Sequence, residues 1–299
     1  METQAADEKP FFVWHNFTRM HVYTQITDDI RGQAGDWQSP YHDAMVQHDQ
    51  QVGVLLDKLD EMGIADNTIV IYSTDNGAMA CSWPDGATTP FRSEKDTCWE
   101  GAYRVPLVVR WPGMIEPNSV CNEIVGSHDW LPTFLTAAGE PDVVEKLKKG
   151  YEANGKTYKV HIDGYDLTPY LSGKAEKHSR PGFMYFSDDG DIVAARYDHW
   201  KLVFMEQEKP GTLAVWMYPL IPLRTPKIFN LRTDPYEVGD VTGNTYYDWI
   251  LRHEYLFVPV QKMVGEFLQT FEEFPPRMKA ASFSLSDVTA KLQSGIGSK

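Results

Sequence analysis

The chain has 299 residues, 42% apolar and 23% charged, the proportions of a globular protein able to bury one large core or two smaller ones. Its formal net charge of −14 argues against nucleic acid and anionic membrane as partners, because both select basic surface. No apolar run approaches a membrane span, and the polar stretch Met1 to Pro10 lacks the apolar centre of a secretory signal, so a soluble chain of open compartment is expected.

The short aromatic run Phe11–Phe17 predicts a buried strand, and the polar stretch Thr24–Ser39 a loop. From Pro40, apolar residues recur at three- to four-residue steps (Met45, Val52, Leu55, Leu56, Leu59, Met62), which predicts a helix that Gly63 stops. Asp66-Asn67 then turns into Thr68-Ile-Val-Ile-Tyr72, β-branched and apolar on both faces, as strands of covered parallel sheets are. Val105–Trp111 reads as another strand and Asp129–Ala138 as a helix with an Asp cap and Gly139 past its end. This is α/β grammar. Beyond Gly164–Gly173 it changes to short strands, Phe183–Ser187, Asp191–Arg196 and Lys201–Met205, separated by turns, which predicts an antiparallel meander. An amphipathic helix over roughly Tyr246–Phe271 follows, and the end after Arg277 is expected to be loosely held. The expected division is therefore 1–175 and 176–299.

Chemistry has three candidate locations. Ser73-Thr-Asp-Asn-Gly77 lies directly after a buried strand, where ligands of open α/β sheets bind. There Asp75 and Asn76 offer hard oxygen donors suited to Ca²⁺ or Mg²⁺, although spacing alone favours a plain turn. Lys95, with Arg92 and Arg104 nearby, offers an ammonium that could hold an anionic oxygen, against the ordinary alternative of a solvated cation. His15 reads as a core residue, whereas His21, in the loop after the first predicted strand, could act as general acid to a leaving group. The pairs Asp28-Asp29 and Asp188-Asp189 read as solvated loop and turn. Cys81, Cys98 and Cys121 have no C-x-x-C spacing, so no zinc knuckle or disulfide framework is expected.

Taken in order, several segments resemble the sulfatase family of the alkaline phosphatase superfamily, in its arylsulfatase-like branch. They are Asp66-Asn-Thr-Ile-Val-Ile-Tyr-Ser-Thr-Asp-Asn-Gly77, Phe91-Arg-Ser-Glu-Lys95, Trp99-Glu-Gly-Ala-Tyr-Arg-Val-Pro106, His128-Asp-Trp-Leu-Pro-Thr-Phe-Leu135, His199-Trp-Lys-Leu-Val203 and Phe229-Asn-Leu-Arg-Thr-Asp-Pro-Tyr-Glu237. The resemblance implies a partial alkaline-phosphatase-like sandwich with a mostly parallel sheet, plus a smaller α+β C-terminal subdomain with an antiparallel sheet. It implies hydrolysis of a sulfate ester, small or carbohydrate, with Asp75 and Asn76 as ligands of a single Ca²⁺ (Mg²⁺ as the alternative). It makes Lys95 and His21 the sulfate-binding and catalytic residues, His21 protonating the leaving oxygen. In such enzymes a formylglycine hydrate attacks sulfur and the covalent sulfate is then released.

Three departures stand out. None of the cysteines carries the spacing of the formylglycine signature, and the family's first aspartate pair has no counterpart here. Ala102 stands where a second glycine is usual, and Val22-Tyr23 replaces a common proline after the histidine. The expectation is thus a C-terminal portion whose nucleophile lies in an absent N-terminal segment, inactive alone and prone to associate through surface that segment would cover. Family members are often periplasmic, secreted or lysosomal. Two other readings stand beside it: a non-catalytic binding or partner module, and a phosphodiesterase or phosphonate hydrolase of the same superfamily. Asn76, where a two-metal relative would use His, favours the sulfate reading.

Overall fold

The computed structural model describes residues 1–277 apart from 8, 87 and 179, so the end after Arg277 lies outside the described residues. After a short helix α1 (Glu2–Ala6), the long helix α2 runs Pro40–Glu61. Ser39 is extended at its cap, Pro40 opens its first turn, and Gly63, at φ +65°, ends it in a conformation that other residues rarely adopt. Its inner face buries Tyr41, Ala44, His48 and Leu59.

The expected strand Phe11–Phe17 does not form. The segment has no strand pairing, and Phe12 and Trp14 stand 70% and 81% exposed. Aromatic content raises strand propensity, but a strand exists only where a neighbouring ladder takes its backbone hydrogen bonds. The expected parallel sheet is corrected too. Strand β1 (Val70–Ser73) pairs antiparallel with β2 (Leu107–Arg110), Val70 facing Arg110 and Ser73 facing Leu107. Apolar residues on both faces report how a strand is covered, not the direction of its neighbour.

Between these strands lies a one-turn helix, α3 (Glu100–Tyr103), and after them α4 (Trp130–Ala137), α5 (Val143–Lys149), a small hairpin of β3 (Tyr151–Ala153) and β4 (Lys156–Tyr158), and α6 (Thr168–Leu171). The antiparallel meander is present with one strand more than the sequence suggests. Strands β5 (Gly182–Phe186), β6 (Ile192–Tyr197), β7 (Trp200–Gln207) and β8 (Leu220–Asn230) form a sheet in that order. Pro222 and Pro226 obscure β8 in the sequence, yet an edge strand tolerates proline because one row of its N–H groups has no ladder to serve. The final helical stretch is broken into α7 (Gly239–Thr242), α8 (Tyr246–His253) and α9 (Phe257–Glu273), a single 3₁₀ turn joining the last two.

The main core joins this sheet to α8 and α9 through Val193, Leu202, Ile228, Phe229, Ile250 and Val260. Cys98 and Trp99 also belong to it, the indole standing edge-on to Phe229 at 5.6 Å. The loop that carries Lys95 is therefore anchored in the core of the C-terminal sheet.

Candidate functional site

Strand β1 delivers Thr74, Asp75 and Asn76 to its carboxyl end. Ser73 Oγ donates to the Pro106 carbonyl at 3.0 Å, and Gly77 N donates to the Ala102 carbonyl at 3.0 Å. This presses the 74–77 turn against the 91–103 loop. A Cβ on Gly77 would overlap the Gly101 carbonyl oxygen, and one on Gly101 would overlap the carbonyls of Arg92 and Ser93. Both glycines are required by backbone approach. At Ala102, where a second glycine is usual, the methyl is buried and lines the cleft.

That cleft holds about 390 Å³, and Asp75, Asn76, Lys95, Asp96, His128 and Asp188 stand on its walls. Asn76 spends its amide nitrogen on the Gly77 carbonyl (2.8 Å), which leaves the amide oxygen for a ligand. Asp75 is exposed, with Thr74 Oγ1 donating to it at 3.3 Å. The Lys95 ammonium lies 5.3 Å from the centroid of the Trp216 ring. Burial, then the charges of Asp188 and Asp189, push the Asp96 carboxyl up to about 6. Ser187–Gly190 is the turn that the sequence suggests, but its Asp188 also faces the cleft.

Two ion networks hold the Lys95 loop at both ends. At one end Arg92 lies 3.6 Å over the Trp99 ring, and its NH1 donates to Asp240 (2.7 Å) and to the Glu237 carbonyl (2.8 Å). At the other, Glu100 N donates to Glu237 Oε2 at 2.7 Å. Glu100 Oε1 accepts from Tyr185 OH (2.7 Å) and from Lys201 Nζ (3.0 Å), and Lys201 Nζ lies 2.7 Å from Glu237 Oε1. Burial raises the Glu100 carboxyl, but the Lys201 charge, the Tyr185 hydrogen bond and Arg196 outweigh it and hold the group below its ordinary range. Glu237 stays above its ordinary range, because burial there exceeds the pull of Lys201. The sequence carries a signal for this network: Lys201 sits inside an apolar strand pattern, and a buried ammonium demands carboxylate partners.

His128 was not singled out as a site residue by its sequence context. It lines the cleft, Arg180 NH2 lies 3.2 Å from its Nε2, and burial lowers its pKa so that the ring is neutral at pH 7. Arg180 in turn pairs with the buried Asp129, which accepts from the backbone of Gly126 and Tyr165 at the start of α4.

His21 is not on the cleft wall. It is exposed, and its carbonyl accepts from Trp83 Nε1 at 3.2 Å. The loop bearing Trp83 returns toward Lys95, since Cys81 N donates to both carboxylate oxygens of Glu94, at 2.9 and 3.2 Å. The structure thus brings Asp75, Asn76 and Lys95 onto one cleft, while His21 joins the neighbouring loop through its contact with Trp83.

The donors fit a hard cation in kind. Asp75, Asn76 and Thr74 present oxygens on one wall, but among the described residues no three His, Cys, Asp or Glu side chains are grouped to hold a metal. The wall would offer only part of the roughly six to eight oxygens that a Ca²⁺ takes. Burial pushes the Cys98 thiol up to about 12 and raises that of Cys81, so neither is poised as a thiolate.

Comparison with known proteins bears on the family of the chain. The sulfatase family model matches residues 1–140. The chain is 31% identical to a steryl-sulfatase of Rattus norvegicus over 297 residues, covering 92% of this chain and 48% of that protein. It is 27% identical to an arylsulfatase of Hemicentrotus pulcherrimus over 301 residues, covering 92% of this chain and 49% of that protein. The solved PsFucS1 sulfatase from Pseudoalteromonas sp. superposes with a TM-score of 0.74 at 28% identity, covering 93% of this chain and 52% of that one. The chain spans about half the length of the curated relatives it matches. With the Asp-Asn turn and the lysine on one cleft, and relatives of one family along nearly its whole length, the chain belongs to the sulfatase family of the alkaline phosphatase superfamily.

Proposed function

We propose that this chain supplies the metal- and anion-binding part of a sulfate-ester hydrolase site. Asp75 and Asn76 give two oxygen ligands to Ca²⁺, with Mg²⁺ as the alternative, and Lys95 holds a sulfuryl oxygen. What supports the reading is one observation: these three residues, distant in sequence, line a single cleft. A bound metal would polarise the sulfuryl group there. The contact of His21 with the leaving oxygen rests on the family resemblance alone.

Charge in the cleft sets the order of events. Asp75, Asp96 and Asp188 oppose an incoming sulfate, with Lys95 as the countercharge on the wall. An anion is therefore held well only once a divalent cation has offset the carboxylates. The raised Asp96 helps below about pH 6, where it is neutral.

Two of the three thiols are poor nucleophiles, and Cys121 is not on the cleft wall. On this reading the chain by itself binds the sulfate ester without turning it over. The test pairs sulfate binding with hydrolysis of 4-nitrophenyl sulfate by the purified chain. With Ca²⁺ present, the expected result is sulfate binding that Lys95→Ala weakens, with no turnover. Turnover that Lys95→Ala abolishes would mean that the chain holds its own nucleophile, and sulfate binding indifferent to Lys95→Ala would overturn the site.

A further inference from the structure

Lys95 faces two ways. It stands on the main cleft with Asp75 and Asn76, and it also lines a small depression with Glu94, Leu213, Val215 and Trp216. Those last residues belong to the connection between β7 and β8, residues 208–219, whose far end enters β8 at Leu220, itself on the wall of the main cleft. The connection therefore forms the rim of the site.

This rim is built rather than loose. Buried Gln207 donates through Nε2 to the carbonyls of Val215 (3.4 Å) and Tyr218 (3.2 Å), while its Oε1 accepts from Lys209 N at 3.3 Å. Thr212 Oγ1 accepts from Ala214 N at 3.2 Å and donates to the Lys209 carbonyl at 2.9 Å, closing the 3₁₀ turn Leu213–Trp216. On this fixed backbone the large side chains face solvent: Trp216 is 58% exposed, and Met217, Tyr218 and Leu213 are exposed beside it. Several large apolar side chains exposed on one short, hydrogen-bonded connection point to a contact surface.

Its charge is as particular as its shape. The Lys95 ammonium lies 5.3 Å from the Trp216 ring, and Lys209 Nζ lies 5.2 Å from the Tyr218 ring. Two aromatic rings of this connection thus each carry an ammonium group, in a chain whose net charge is −14. A sugar ring offers C–H faces that pack on aromatic rings, and its sulfates offer anions to the ammonium groups. A small aryl sulfate, with one ring and one anion, could use only half of this surface.

We propose that Trp216 and Tyr218 form a platform for the sugar residue next to the sulfated one, so that the ligand of this site is an oligosaccharide bearing more than one sulfate. The inference rests on the reading that Lys95 meets the sulfate in the main cleft; Lys209 takes a second sulfate along the chain of sugars.

The test uses the full chain and three probes, a sulfated dextran hexasaccharide, the same hexasaccharide without sulfate, and 4-nitrophenyl sulfate, with affinity measured by calorimetry. Trp216→Ala is expected to weaken the sulfated hexasaccharide about tenfold, the scale of losing one well-stacked ring, while Trp216→Phe retains most of the affinity. Because the Trp216 ring also lies against the Lys95 ammonium, Trp216→Ala is expected to weaken 4-nitrophenyl sulfate as well, but by less than it weakens the sulfated hexasaccharide, and the difference between the two probes is the readout. Because Trp216 is exposed, its loss leaves the core untouched, and circular dichroism verifies the fold. If Trp216→Ala leaves the sulfated hexasaccharide unchanged, or if the wild-type chain binds it no better than the unsulfated one, the platform is refuted. The fate of the Lys95 reading is separate. Lys95→Ala that spares both sulfated probes, while Trp216→Ala still weakens the hexasaccharide, rejects the sulfate role of Lys95 and keeps the platform.

Discussion

Replacing Lys201 with methionine keeps most of the side chain's bulk and deletes the ammonium lying 2.7 Å from Glu237 and 3.0 Å from Glu100. Lys201 and Glu237 are fully buried and Glu100 nearly so, so solvent cannot screen what remains. Removing one partner of a buried ion cluster costs about 3–5 kcal/mol, because the other charge is left uncompensated. For a chain of this size that corresponds to a fall in Tm of roughly 6–20 °C. The pH dependence gives the sharper test. Glu237 already titrates above its ordinary range because of burial, and Lys201 is the largest influence pulling it down. A raised folded pKa means stability that is present at low pH and lost as pH rises through that value. Without Lys201 the value climbs further, so the deficit of the variant is largest at alkaline pH and shrinks as the pH falls and the carboxyl takes a proton. Adding Glu237→Gln, which keeps an acceptor for Glu100 N, should recover about half of the loss. Thermal unfolding of wild type, single and double variants across this range decides it. A single-variant deficit below about 1 kcal/mol, or one that does not vary with pH, refutes the buried-charge argument.

Asp96→Asn should raise Tm at about pH 8 and have little effect at about pH 4, since an acid whose folded pKa is about 6 costs stability only when ionised; Asn also tolerates the positive φ of 61° there. Thermal melts at the two pH values check it, and an equal effect at both would count against the raised carboxyl. Gly77→Ala should leave the C-terminal sheet folded yet weaken Ca²⁺ binding at least about tenfold, because its methyl overlaps the Gly101 carbonyl and forces the Asp75–Asn76 turn away from Lys95. Calcium titration with far-UV circular dichroism tests this, and unchanged affinity would show that the close approach is dispensable.

Much of this was legible in the residues. Helix α2 declared itself through apolar spacing, Pro40 and Gly63, and the meander through its turns, because local chemistry alone fixes such elements. The direction of the β1–β2 pairing was not legible, since it depends on the path of the intervening loop and not on strand composition. Phe11–Phe17 looked like a strand because aromatic content mimics burial, while the ladder that would decide the matter is a tertiary fact. The turn carrying Asp75 and Asn76 and the loop carrying Lys95 could be named from motif order. That they share a cleft follows from how the two loops meet through Gly77 and Gly101, and that His128 and Asp188 stand on it depends on where the segments before α4 and after β5 run. Lys201 was the available hint that went furthest, a charge inside an apolar strand whose partners had to lie elsewhere in the chain.

The central claim is that Asp75, Asn76 and Lys95 act on one anion with one metal between them, and calorimetry of sulfate binding with and without Ca²⁺ tests it most directly. If the cation offsets the cleft's carboxylates, the two ligands must help each other, and by linkage equally. The account predicts that saturating Ca²⁺ tightens sulfate at least about tenfold, that Asp75→Ala abolishes the enhancement, and that Lys95→Ala weakens sulfate under both conditions. Sulfate affinity that is the same with and without Ca²⁺, and unmoved by Lys95→Ala, would contradict it.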